Sequence, residues 1–229
     1  MISRLITLIL LGCLPVFAAA QDATAILEQM MAKWNRVKDY AVQVNIKSEI
    51  PLIKSFPVKA TIYFKQKDQF KMLSKGIAIL PKQNFNELPK FLRDKNSYTA
   101  LITGTEVVQT QKTTVLTVLP TDDSGDLVLL KLWIDPKTDL LLKSQSTTRS
   151  NGTISAIYEY GSQTTFGLPD KMIFTVEVKK FKIPKGLATD INRTSSSDTG
   201  KPSPKNGKIT ITFADYQLNK GIKDEVFRN

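Results

Sequence analysis

The residues best equipped for chemistry are carboxylates, and they gather in two short stretches, "DDSGD" at 122–126 and "DPKTD" at 135–139. Clustered aspartates suggest calcium, but a calcium loop needs oxygen ligands at alternate positions, a central glycine and a closing glutamate. Neither stretch has that spacing. Each reads as a turn, with Pro136 presetting a backbone angle and the aspartates placed to accept from nearby amides. The chain has no histidine, which removes the commonest general base, the serine triad, the cysteine dyad and the usual zinc site together. Carboxylate-pair or lysine chemistry stays open in principle, yet no spacing singles out such a pair. We therefore expect no catalytic residue, no metal site, no cofactor and no enzyme. The sequence offers apolar contact instead: Met30, Met31 and Trp34 fall close together in "ILEQMMAKWN", combining adaptable thioethers with one broad apolar ring.

Export comes before folding. Arg4 supplies a positive start, residues 5–16 an apolar core, and Ala18, Ala19 and Ala20 the small residues that a signal peptidase reads. Residues 1–20 are thus expected to be a cleaved signal peptide, since the apolar run is shorter than the ~20 residues of a membrane span. Cleavage would remove Cys13, the only cysteine, so the mature chain must rely on an ordinary core. The net charge of +11 favours anionic partners. Its lysines are scattered, with no basic helix or aromatic RNA-binding signature, and nucleic acid is not expected.

The elements that must position the apolar residues follow from periodicity. Residues 22–38 open with Asp22 or Thr24 as candidate caps and repeat apolar residues at helical spacing through Ile26, Met30, Trp34 and Val37. From Tyr40 the period becomes two, in Val42, Val44 and Ile46, and again in Val58, Ala60, Ile62 and Phe64. A strand with Phe70 and Met72 follows, then a short apolar strand, a proline stop and a brief helix near 84–94 showing Phe91. Strands resume near 98–109, 113–119, 127–134, 139–149, 153–160, 170–182 and 207–217. Short turns between them imply an antiparallel sheet of about ten strands. The polar stretch 187–208 is expected to be a long mobile loop. "DLVLLKLWID" is apolar on both faces, with Leu127, Leu129 and Trp133 on one and Val128, Leu130, Leu132 and Ile134 on the other. A curved sheet with something packed in its concave face would account for that.

The order of these features, with "LWIDPKTDLLLKSQSTTRSNGT", "YEYGSQTTFGLPDKM" and the closing "DYQLNKGIKDEVF", resembles the periplasmic outer-membrane lipoprotein carrier (LolA-like) superfamily across nearly the whole mature chain. The resemblance implies a mainly β fold: a half-open antiparallel β-barrel of about ten or eleven strands, its concave face covered by the N-terminal helix and the short mid-chain helix. It implies a single lipid-binding domain over 21–229, in the periplasm, that shields acyl chains in an apolar cavity. Met30, Met31, Trp34 and Phe91 would belong to the lid, and Phe64, Met72, Leu132, Leu142 and Phe174 to the wall. The implied partners are an acyl lipid or lipoprotein, an inner-membrane releasing complex and an outer-membrane acceptor, with the protein itself a monomer. The last strand would close the sheet edge, and Ile222, Val226 and Phe227 would fold back over it. An envelope sensor or interaction module built on the same scaffold is the alternative.

Overall fold

A helix begins the described chain. The computed structural model describes residues 22–51, 56–67, 69–76, 87–177 and 206–228; the expected signal peptide over 1–20, the short strand expected after Gly76 and most of the loop expected at 187–208 lie outside them. Helix α1 (Ala23–Asn35) is capped by Asp22, whose carboxylate accepts from the Thr24 amide at 3.2 Å. Its stripe buries Ala23, Ile26, Leu27, Met30 and Met31, the i, i+3, i+4 pattern of a helix with one dry face.

Among the described residues ten strands follow, all antiparallel to their neighbours. They are β1 (Asp39–Glu49), β2 (Val58–Lys65), β3 (Gln69–Ser74), β4 (Tyr98–Val108), β5 (Gln111–Pro120), β6 (Leu127–Asp135), β7 (Leu140–Thr148), β8 (Gly152–Glu159), β9 (Lys171–Glu177) and β10 (Asn206–Leu218). They form one open sheet in the order β3-β2-β1-β10-β9-β8-β7-β6-β5-β4. The sheet does not close: among the described residues its edges β3 and β4 have no strand partner on their outer side. Those two strands follow one another among the described strands, and past Gly76 the residues described between them resume at 87. They carry α2 (Leu88–Arg93), with Pro89 in its first turn and Leu88 and Leu92 buried. Of the helix expected at 84–94, residues 84–86 lie outside the described residues, and α2 ends at Arg93. Phe91 is half-buried and tilts against Tyr98 at 5.4 Å.

The core fills one face of the sheet. Val44, Ile46, Ile62, Leu116, Leu132, Ile154, Phe174, Ile209 and Ile211 point to that face and join α1 and α2 in a single cluster. A smaller cluster of Val108, Val115, Trp133, Leu140 and Leu142 occupies the opposite face, which is why β6 is dry on both sides around Trp133. Register shifts decide which residue goes where. One lies between Leu127 and Leu129, so Leu127 packs with the main core and Val128 is exposed, reversing the alternation expected at the start of β6. Another lies where Trp133 pairs with Lys143 but Ile134 pairs with Leu141. The extra residue is Leu142, and a bulge there reverses the phase of the strand.

The last strand does not close an edge. β10 lies between β1 and β9, and the segment after it wraps the junction of α1 and β1. The Asn219 side chain accepts from the Lys38 amide at 2.7 Å and donates to the Arg36 carbonyl at 3.2 Å. Buried Asp39 accepts from the amides of Lys220 and Gly221 at 3.0 and 3.1 Å. A 3-10 turn over Asp224–Phe227 then packs on β3. There the Lys65 ammonium donates to the Ile222 carbonyl at 2.9 Å and the Lys71 ammonium to the Arg228 carbonyl at 2.7 Å. Half-buried Ile222, Val226 and Phe227 therefore belong to a strap on the β3 side.

Candidate functional site

The aspartate stretches are turns. Asp135 accepts from the Lys137 amide at 2.9 Å and the Thr138 hydroxyl at 2.7 Å. Asp122 accepts from the amide and hydroxyl of Ser124, and Asp126 from those of Ser150, which ties the β5–β6 turn to the β7–β8 turn. Their carboxylates are occupied by capping.

A cavity of about 380 Å³ opens under the C-terminal end of α1. Its wall comes from one end of the sheet, because antiparallel register brings the start of β1, β3 and β9 beside the end of β2, β8 and β10. Tyr40, Phe64, Phe70, Tyr158, Met172 and Phe213 line it from these strands. Tyr40 stacks on Phe64 at 5.2 Å and meets Tyr216 edge-on at 5.8 Å, while Phe213 stacks on Tyr216 at 5.9 Å. This continuous aromatic wall runs over β2, β1 and β10. Tyr216 reaches it through a further local irregularity, where Asp215 takes a left-handed φ of 56° and two β1 steps face three β10 steps.

Three hydroxyls of this lining find partners within the protein. Tyr216 donates to the Pro169 carbonyl at 2.8 Å and Tyr160 to the Leu141 carbonyl at 2.8 Å, while the hydroxyls of Tyr158 and Ser144 share a 2.9 Å bond. Burial pushes Tyr40, Tyr158, Tyr160 and Tyr216 above the ordinary tyrosine value of 10.0, so the wall carries no phenolate near neutral pH. No buried side-chain nitrogen or oxygen among the described residues lacks a partner.

Trp34 holds the mouth. Its indole N–H donates to the Gly167 carbonyl at 3.0 Å, linking the last turn of α1 to the connection between β8 and β9. Gly167 has a φ of 62°, and a Cβ there would stand 2.9 Å from the Trp34 ring. Glycine is needed both for the backbone angle and for the close approach.

Of the nine residues expected at this site, Met31, Trp34 and Phe64 line the cavity. Met30, Leu132 and Phe174 lie in the solid core beneath, each almost fully buried, and Met72 and Phe91 pack against that core from its margin. Leu142 is on the opposite face. Counted back from Ser144 and Ser146 it shares their inward phase; the bulge in β7 turns it outward. The sequence reading passed over Tyr40, Tyr158, Tyr160, Phe213 and Tyr216. "YEY" at 158–160 alternates at strand period, and that signal could have found two of them.

No protein-family model matches the chain, and no curated protein matches it. Solved structures do. A LolA superfamily protein from Nitrosomonas europaea superposes over 92% of this chain and 99% of its own, with a TM-score of 0.60 at 13% identity. The fold is LolA-like. A domain described as outer membrane lipoprotein-sorting, from Vibrio parahaemolyticus, covers 90% of this chain and 96% of its own at a TM-score of 0.61 and 10% identity. A DUF1329 family protein from Desulfovibrio piger covers 91% and 98% at 0.55 and 13%. In this LolA-like fold the open sheet, α1 and α2 together frame the hollow. No helix among the described residues is long and apolar enough to cross a membrane.

Proposed function

We propose that this chain is a non-catalytic binding protein of the periplasm that shields an acyl chain of a lipid or lipoprotein, in the service of outer-membrane lipoprotein or lipid trafficking. The observation that carries the reading is the 380 Å³ hollow with its aromatic wall, where the hydroxyls of Tyr158, Tyr160 and Tyr216 are bonded within the protein. Water entering it would meet few partners, whereas an acyl chain needs none and gains by leaving water. The volume falls within the ~300–1,000 Å³ of ligand pockets, toward the end that suits one chain rather than several. In this reading residues 1–20 direct export, residues 21–229 act as one unit, and a membrane releasing complex and an outer-membrane acceptor load and unload it. The lipoprotein-sorting description of the Vibrio protein points the same way.

A second reading draws on the β4 edge. Leu101, Ile102 and Val107 are exposed along this strand, and an apolar edge that no other described strand covers suits strand addition by a partner. That would make the protein an envelope sensor or interaction module with the fold as scaffold. Organic extraction of protein purified from its exporting host, followed by lipid mass spectrometry, separates the two. Acyl lipid near one equivalent is the expected result; a dry protein that also fails to take up fatty acid overturns the carrier reading and favours the module.

A further inference from the structure

Among the described residues the hollow has a floor, and five neighbouring strands make it. Phe64, Tyr40, Phe213, Met172 and Tyr158 line the hollow from β2, β1, β10, β9 and β8, which stand in that order in the sheet. Side chains two places apart on a strand share a face, and on each of these strands the residue two places further in is sealed. Ile62, Ile211, Phe174 and Ala156 are 0% exposed and Val42 is 1% exposed. All five belong to the main core and none to the lining.

The lid changes in the same way. Ile26 and Met30 of α1 are almost fully buried, whereas Met31 and Trp34, nearer its end, line the hollow. A guest that enters beside Trp34 can therefore go no deeper without displacing close-packed side chains. Its capacity is limited as well. A dry cavity of roughly 150 Å³ holds one benzene ring, so 380 Å³ holds at most about fifteen carbons.

From this we infer that the hollow is a chain-length ruler: it takes the end of a single hydrocarbon chain up to about 12–15 carbons, and further methylenes stay at the mouth in water. The inference rests on the acyl-binding reading above and narrows it to a length. Each methylene that enters gains about fourfold in affinity by leaving water. One held at the mouth gains little.

The test is displacement of a fluorescent fatty acid from delipidated mature protein by the even-numbered saturated fatty acids from octanoate to octadecanoate, each below its micelle concentration. Affinity should climb about fourfold per methylene as far as dodecanoate or tetradecanoate and then level off. Met172→Ala and Met31→Ala each take the γ, δ and ε atoms of one lining side chain out of the wall, and each should carry the break to a chain about two carbons longer. Alanine favours the helix, so Met31→Ala carries the test if Met172→Ala fails to fold. A break that moves with either substitution belongs to the protein and supports the ruler. A break fixed at the same acid in wild type and folded variants reflects ligand solubility and overturns the ruler, as does affinity that climbs unbroken to octadecanoate; both results leave the acyl cavity standing. Failure of every acid to bind wild-type protein overturns the ruler and the acyl-binding reading together.

Discussion

The two ends of the concave face are built on the same strands and differ in what fills them. At one end Ile46, Ile154, Val176, Ile209 and Ile211 are almost fully buried, and a Cβ added at Gly207 would already lie 3.1 Å from Ile50. At the other end Tyr40, Phe64, Phe70, Tyr160 and Tyr216 surround a hollow and keep part of their rings exposed to it. β-Branched side chains are short and stiff, so rows of them interlock across a sheet. Aromatic rings reach further, and when they lean on one another and anchor their hydroxyls to backbone they hold a space open. The solid end serves stability and the hollow end leaves room for a guest.

Substitutions at the two ends should therefore separate stability from binding. The largest effect is expected for Phe174→Ala, which empties a fully buried site and should cost about 3–5 kcal/mol; denaturant unfolding would show it. A loss below about 1 kcal/mol would mean that the solid end is looser than described. Gly167→Ala comes next, at about 1–3 kcal/mol, because the added Cβ drives into Trp34 and φ is left-handed there. Its indole emission should shift toward that of a solvated ring, since the Trp34 bond to Gly167 breaks. Phe64→Ala should cost less, about 1 kcal/mol, because it enlarges an existing hollow instead of creating one; its signature is weakened displacement of a fluorescent fatty acid. Unchanged binding in this variant would break the contrast between the two ends.

The smallest effect at neutral pH, and a growing one in alkali, concerns the four wall tyrosines. Their folded values lie above the ordinary 10.0 because burial disfavours the phenolate. Below that pH both folded and unfolded chains keep these hydroxyls protonated, so they contribute no pH dependence. Above it the unfolded chain ionises first, and stability must fall as pH rises. Thermal melts between pH 8 and 11 should be flat up to about pH 10 and then decline, with tyrosinate absorbance rising together with unfolding. A rise in absorbance well before unfolding would show that the hydroxyls are reachable.

Local order was legible in the chain. The stripe of α1 with its Asp22 cap, the period-two runs from β1 to β10, the turns at 122–126 and 135–139 and the LolA-like order of elements depend on neighbours a few residues apart. Such short-range steric and hydrogen-bonding preferences are written residue by residue. Tertiary structure alone decided which face each apolar residue serves. A bulge reverses the phase of everything beyond it, and it put Leu142 outside and Tyr216 at the cavity. The pairing of β10 with β1 set the last strand in the middle of the sheet and sent the strap to β3. The hollow itself comes from residues between Met31 and Tyr216 brought to one end of the sheet. Their proximity depends on strand order and register across the whole chain, which no local periodicity encodes.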